Sequence, residues 1–175
     1  MPLNHSSEYA DLTDDQYAAI GRVVVEWSNI EYLLSLFLSR LLRTPEYLRR
    51  TYAQGLAAVR IQTAITEAIE VHRHRYGRHF VSEVTLSEVE SANSRVAALR
   101  AHRNKISHFC WCRTSDDEVF GSAFAGGVPT DKWDRRNNKS LSLIDLRSLH
   151  TEAYALADEL MRIVSTIKEV HEVDA

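Results

Sequence analysis

Residues 85–114 read TLSEVESANSRVAALRAHRNKISHFCWCRT, and the change of period inside this stretch decides the fold. Thr85 and Glu88 have the spacing of a capping box, after which Val89, Ala92, Val96, Leu99, Arg103 and Ile106 recur every three or four residues. Such spacing gathers them on one face of a helix. From Phe109 onward the period changes. FCWCRT, EVFGSAF and KSLSLI are short and β-prone, with the turn-forming runs SDD, AGGVPTD and DRRNN between them. This pattern predicts a small hairpin or a three-stranded flap.

On either side the helical period dominates. Thr13 with Gln16 opens a first helix whose seam is Ile20, Val24, Trp27, Ile30, Leu34, Phe37 and Leu41, ending before Pro45. Val23, Val25, Leu33, Leu36 and Leu38 make this helix apolar beyond one stripe, so it is expected to pack on more than one side. Thr44-Pro45 starts a short helix that fades near Gly55, and another helix follows from Leu56 to Tyr76 with Gly77 as its C-cap. Ser142 with Asp145 opens a final helix over residues 145–171, following Leu146, Leu149, Ala153, Leu156, Leu160, Ile163, Ile167 and Val170. The expectation is an all-α fold in one domain spanning residues 1–175. It is a bundle of four to five helices with an N-terminal arm (1–12) and a β-hairpin-like insertion (109–144) before the last helix.

Composition narrows the function classes. The chain has 175 residues, 45% of them hydrophobic, enough for one sizeable core. A formal net charge of -3 means that any nucleic-acid partner must be held by a local basic patch. Cys110 and Cys112 are the sole cysteines and stand too close for an unstrained bridge, which points to a reduced, cytoplasmic setting. Two thiols without a second spaced pair fall short of a zinc site, so no metal and no cofactor is expected. The polar, acidic start MPLNHSSEYADLTDD is unlike a signal peptide, and the apolar run YLLSLFLSRLL is too short to cross a bilayer, so no membrane partner is expected. There is no internal repeat, phosphate-cradling glycine loop, Gly-x-Ser-x-Gly or His-Glu-x-x-His.

Arg103 occupies a seam position where a bundle ordinarily places leucine or isoleucine. Burying its guanidinium without a partner costs several kcal/mol, so an acid or a substrate anion should meet it; otherwise the side chain snorkels to the surface. Glu31 and Glu26 of the first helix are the candidate acids. His108 lies on another stripe, with Ala97, Ala101 and Asn104. Five residues at 100° each set Arg103 and His108 about 140° apart, so a single unbroken helix does not aim them at one point. Either the helix end distorts or a second copy contributes. Alternatively, His108 is a C-terminal cap that complements the helix dipole.

Arg103-Asn104, three further residues and His108 resemble the Arg-x(4–6)-His motif of the HEPN superfamily, in which a polar residue typically follows the arginine. The order of elements is similar too: a long apolar first helix with an embedded glutamate (VVVEWSNIEYLLSLFL), the motif helix, a β-prone excursion and a final helix. Arg73 to His79 and Arg95 to His102 have permitted spacings as well, but Gly77 interrupts the first and apolar Val96 follows the arginine of the second. The resemblance implies a HEPN-like helical bundle and a metal-independent endoribonuclease, acting as a homodimer with facing motif helices, often in toxin or defence systems. Carried over by position, His108 acts as base on a ribose 2′-OH or as acid on the leaving 5′-oxygen, Arg103 stabilises the phosphorane, and Asn104 orients the imidazole or a phosphate oxygen. The products are a 2′,3′-cyclic phosphate and a 5′-hydroxyl. Other members are non-catalytic binding or dimerisation modules, so the implied partners are RNA, a second copy, an antitoxin or a nucleotidyltransferase.

Two further segments bear on RNA. HRHRYGRH at 72–79 holds cations without an acid, and Arg73, Arg75 and Arg78 with Tyr76 are candidates for tracking a phosphate backbone and stacking on a base. The plainer reading is a helix end that complements its dipole. KWDRRNNK at 132–139 mixes cations with Trp133 in the same way, but its plainer reading is a solvated loop tip.

Overall fold

A computed structural model describes residues 10–45, 51, 53, 55–77, 79–123 and 138–170. It is mostly helical. Among the described residues run the helices α1 (Asp14–Leu42), α2 (Ala58–Arg75), α3 (Glu83–His108) and α4 (Leu143–Thr166), with the strands β1 (Cys110–Ser115), β2 (Glu118–Ser122) and β3 (Asn138–Ser142) between α3 and α4. The short helix expected after Pro45, most of the N-terminal arm, the AGGVPTD and DRRNN turns and Arg78 lie wholly or largely outside the described residues.

The starts of α1, α3 and α4 follow side-chain caps, whereas α2 starts after Ala57 without one. Thr13 N–H donates to Gln16 Oε1 at 2.9 Å while Gln16 N–H donates to Thr13 Oγ1 at 3.2 Å, which is the capping box expected for α1. Ser142 and Asp145 form the same reciprocal pair at α4, each backbone N–H donating to the other's side-chain oxygen at 3.0 Å. α3 begins earlier than Thr85 suggests. Ser82 Oγ accepts from Thr85 N–H at 3.1 Å, making Ser82 the cap. Gly77, with φ of +53°, takes the left-handed conformation that closes α2. α4 stops at Thr166, short of residue 171: Thr166 Oγ1 donates to Ile163 O at 2.7 Å and Ile167 N–H to Val164 O at 3.1 Å, tightening the last turn. Arg40 then holds the following segment through Glu169 Oε2 at 2.8 Å.

The chain divides into two compact units, residues 1–26 with 100–153 and residues 27–99 with 154–175. In the first, the three strands form an antiparallel meander, β1-β2-β3, with Val119 opposite Leu141. These two face inward and join Ala19, Val23, Ile106, Leu143 and Leu146 in one buried cluster. Gln16 is fully buried, and its Nε2 donates to Ser115 O, Asp116 O and Glu118 O at 2.8, 3.2 and 3.3 Å, tying α1 to the β1–β2 turn. In the second unit the expected seams are buried: Trp27, Ile30 and Phe37 of α1, Ile61, Ile65 and Ile69 of α2, Val89 and Val96 of α3, Leu156, Leu160 and Ile163 of α4. Gln62 and Asn93 exchange bonds across it, Gln62 Nε2 to Asn93 O at 2.9 Å and Asn93 Nδ2 to Gln62 O at 3.1 Å. The extra apolar positions of α1 divide: Val23, Leu33 and Leu38 are buried, while Val25 is 59% exposed.

Candidate functional site

α3 carries the motif residues in its last turns. Leu99 and Ile106 are buried and Arg103, between them on the same seam, is half-buried. Its Nη1 donates to Asn104 Oδ1 at 3.2 Å, so the two side chains that follow each other in sequence also meet in space. Asn104 and His108 are exposed, one turn apart on the face that also presents Ala97 and Ala101 to solvent. α3 continues unbroken to His108, and Phe109 N–H donates to Lys105 O at 3.0 Å in the helical pattern. Helix distortion therefore does not bring His108 round to Arg103.

The end of α3 is pinned. Trp111 Nε1 donates to Ile106 O at 2.9 Å, satisfying a carbonyl of the last helical turn. Its ring lies so close over Gly121 that a Cβ there would stand 2.6 Å from it, and Phe109 packs beside it with centroids 5.9 Å apart. Only a glycine allows this approach of ring to strand. The position of His108 is thereby set from the sheet.

Of the two candidate acids, Glu26 belongs to the motif's unit and Glu31 to the other; both are half-buried. Glu26 Oε1 lies 3.8 Å from His150 Nε2, with side-chain exposures of 15% and 30%. His150 carries no signal in the apolar reading of α4, because it falls beside the seam residue Leu149.

The basic segment looks different in three dimensions. His72 is buried, and its Nε2 donates to Leu41 O at 2.8 Å, capping the end of α1. Arg73 is held by Glu90 at 2.9 Å, Glu83 at 3.0 Å and Glu70 at 3.3 Å. The Glu90 hydrogen bond foremost, with Glu83, keeps its guanidinium still further above its ordinary range. Tyr76 packs edge-on against His72 and Phe80, with centroids 5.5 and 5.3 Å away, and Arg75 is exposed. Three carboxylates on Arg73 leave it poorly placed to receive a phosphate. Cys110 and Cys112 are free thiols, Cys112 Sγ donating to Phe120 O at 3.6 Å. Among the described residues no cluster of three or more His, Cys, Asp or Glu gathers as a metal-ligand set. No described helix is long and apolar enough to cross a membrane. No family model, curated protein or solved structure matches the chain.

Proposed function

We propose that the chain is a HEPN-like, metal-independent endoribonuclease, working as a homodimer through Arg103, Asn104 and His108. The observation that carries this reading is the state of the last turns of α3: a half-buried arginine bonded to the asparagine beside it, and that asparagine and His108 presented together on an open face edged with alanines. Because α3 is unbroken, Arg103 and His108 of one chain point about 140° apart, and a second copy of the helix supplies the missing partner. Exposed alanines at 97 and 101 permit close approach of that second helix. In the composite site an imidazole takes the 2′-OH proton, the guanidinium stabilises the charge that develops on phosphorus-bound oxygens, and Asn104 fixes the guanidinium.

A second reading, a non-catalytic binding or dimerisation module with a nucleotidyltransferase among its candidate partners, draws on the position of His108. As the last residue of α3 it is also where a cation complements the helix dipole. One experiment separates the two: RNA incubated in EDTA with wild type, Arg103→Ala and His108→Ala, followed by end-group analysis. The nuclease gives 2′,3′-cyclic phosphate ends, and each variant loses roughly 100-fold or more of the rate while keeping its melting temperature. A wild type that binds but never cuts, or an Arg103→Ala that fails to fold, favours the module.

A further inference from the structure

Three polar side chains of the same unit border one buried apolar cluster, Arg103 on the seam of α3 and Glu26 and His150 beside the seams of α1 and α4. Val23 of α1, Ile106 of α3 and Leu146 of α4 are buried together in one cluster. Glu26 comes one turn after Val23, Arg103 one turn before Ile106, and His150 one turn after Leu146. The unit contains the first part of α1 and of α4 and the last part of α3, so each of these steps leads toward the point where its helix leaves the unit. Glu26 and His150 meet at 3.8 Å and keep 15% and 30% of their side-chain surface open. Placing a guanidinium on an apolar seam, with a half-buried carboxylate and imidazole at the edge of the same cluster, costs stability, and such local departures from the pattern collect at functional sites.

We infer that His150, oriented by Glu26, donates the proton to the leaving 5′-oxygen of the phosphodiester that Arg103 of the same chain binds. The inference rests on the ribonuclease reading and divides its two proton transfers between two histidines. The ribose 2′-oxygen attacks phosphorus as neutral His108 of the second copy takes the hydroxyl proton. The bond from phosphorus to O5′ breaks, and the His150 imidazolium gives its proton to O5′. A 2′,3′-cyclic phosphate and a 5′-hydroxyl leave, with His108 charged and His150 neutral, and exchange with water resets both. His150 suits the second role because it lies, like Arg103, one turn from the buried cluster of Val23, Ile106 and Leu146, whereas His108 is turned about 140° away from Arg103 around α3.

The test uses two substrates: an RNA oligomer, whose 5′-oxygen must be protonated to leave, and a nucleoside 3′-(4-nitrophenyl phosphate), whose leaving group departs as a stable anion. His150→Ala and His150→Gln should lose roughly 100-fold in kcat on RNA but less than about tenfold on the nitrophenyl ester. His108→Ala, lacking the base, should lose heavily on both. The ratio of the two rates within one preparation cancels any change in the folded fraction. Equal losses on both substrates, or unimpaired RNA cleavage by the His150 variants, overturn the inference while leaving the nuclease standing. A wild type inactive on both substrates removes the ribonuclease reading, and the inference falls with it.

Discussion

Gln16 shows how much one side chain can hold. Its Oε1 accepts from Thr13 N–H at the start of α1, and its Nε2 donates to three carbonyls of the β1–β2 turn, ninety-nine to 102 residues later in the chain. Removing the amide frees a helix cap and strands partly buried acceptors together, so Gln16→Ala should destabilise the chain by about 2–3 kcal/mol in denaturant melts. Gln16→Glu keeps an acceptor for Thr13 but loses the donor, and should recover only the cap's share. An alanine variant as stable as wild type would show that water replaces the clasp without loss. The capping half of this role was legible from Thr13 and Gln16 alone; the turn contacts were not, since no local pattern announces a bond to carbonyls so far along the chain. His72 was legible in principle. It stands three residues after Ile69 on the α2 seam, but the cations around it give the segment the pattern of a solvated helix end. The carboxylates on Arg73 come partly from α3, so an acid-free run in sequence is not an acid-free neighbourhood in space.

At the level of elements, the periods located the four described helices and the β-prone stretch between the last two, which is a three-stranded sheet and not a lone hairpin, because burial itself imposes them: buried Val89, Ala92, Val96, Leu99 and Ile106 repeat as a helix must. Boundaries depended on which polar residue won a local competition. Ser82 and Thr85 both fit an N-cap, and the earlier hydroxyl prevailed, adding Glu83, Val84 and Thr85 to α3. The capping box of α4 makes a pH-dependent prediction. Asp145 accepts from the Ser142 backbone N–H and then from its hydroxyl, and these bonds hold its carboxyl below the usual range. A depressed carboxyl contributes stability that is fully present above its unfolded pKa of about 3.9 and is lost as pH falls through the lower folded value. Wild type should therefore exceed Asp145→Asn in melting temperature at neutral pH, with the gap closing in acid. A gap that stays constant from pH 7 to pH 2 would mean that ionisation of Asp145 contributes nothing to the cap.

For the whole molecule, the decisive question is whether the site is built from one chain or two. Arg103 and His108 diverge on an unbroken α3, and nothing in the spacing of the motif reveals this without the observation that the helix continues through His108. A composite site makes a prediction that no single-chain site shares. Arg103→Ala and His108→Ala are each expected to be inactive. In a mixed dimer, however, one of the two sites joins the intact Arg103 of one chain to the intact His108 of the other. Equal amounts, unfolded and refolded together, give about half mixed dimers with one working site in two, or roughly a quarter of wild-type activity. A site contained in one chain regains nothing on mixing, because neither chain carries both residues. The same mixture run through analytical ultracentrifugation fixes the population of dimers. Dimers without restored cleavage would locate Arg103 and His108 at separate places on the surface, leaving the His108 face as a contact between copies and no part of a catalytic centre.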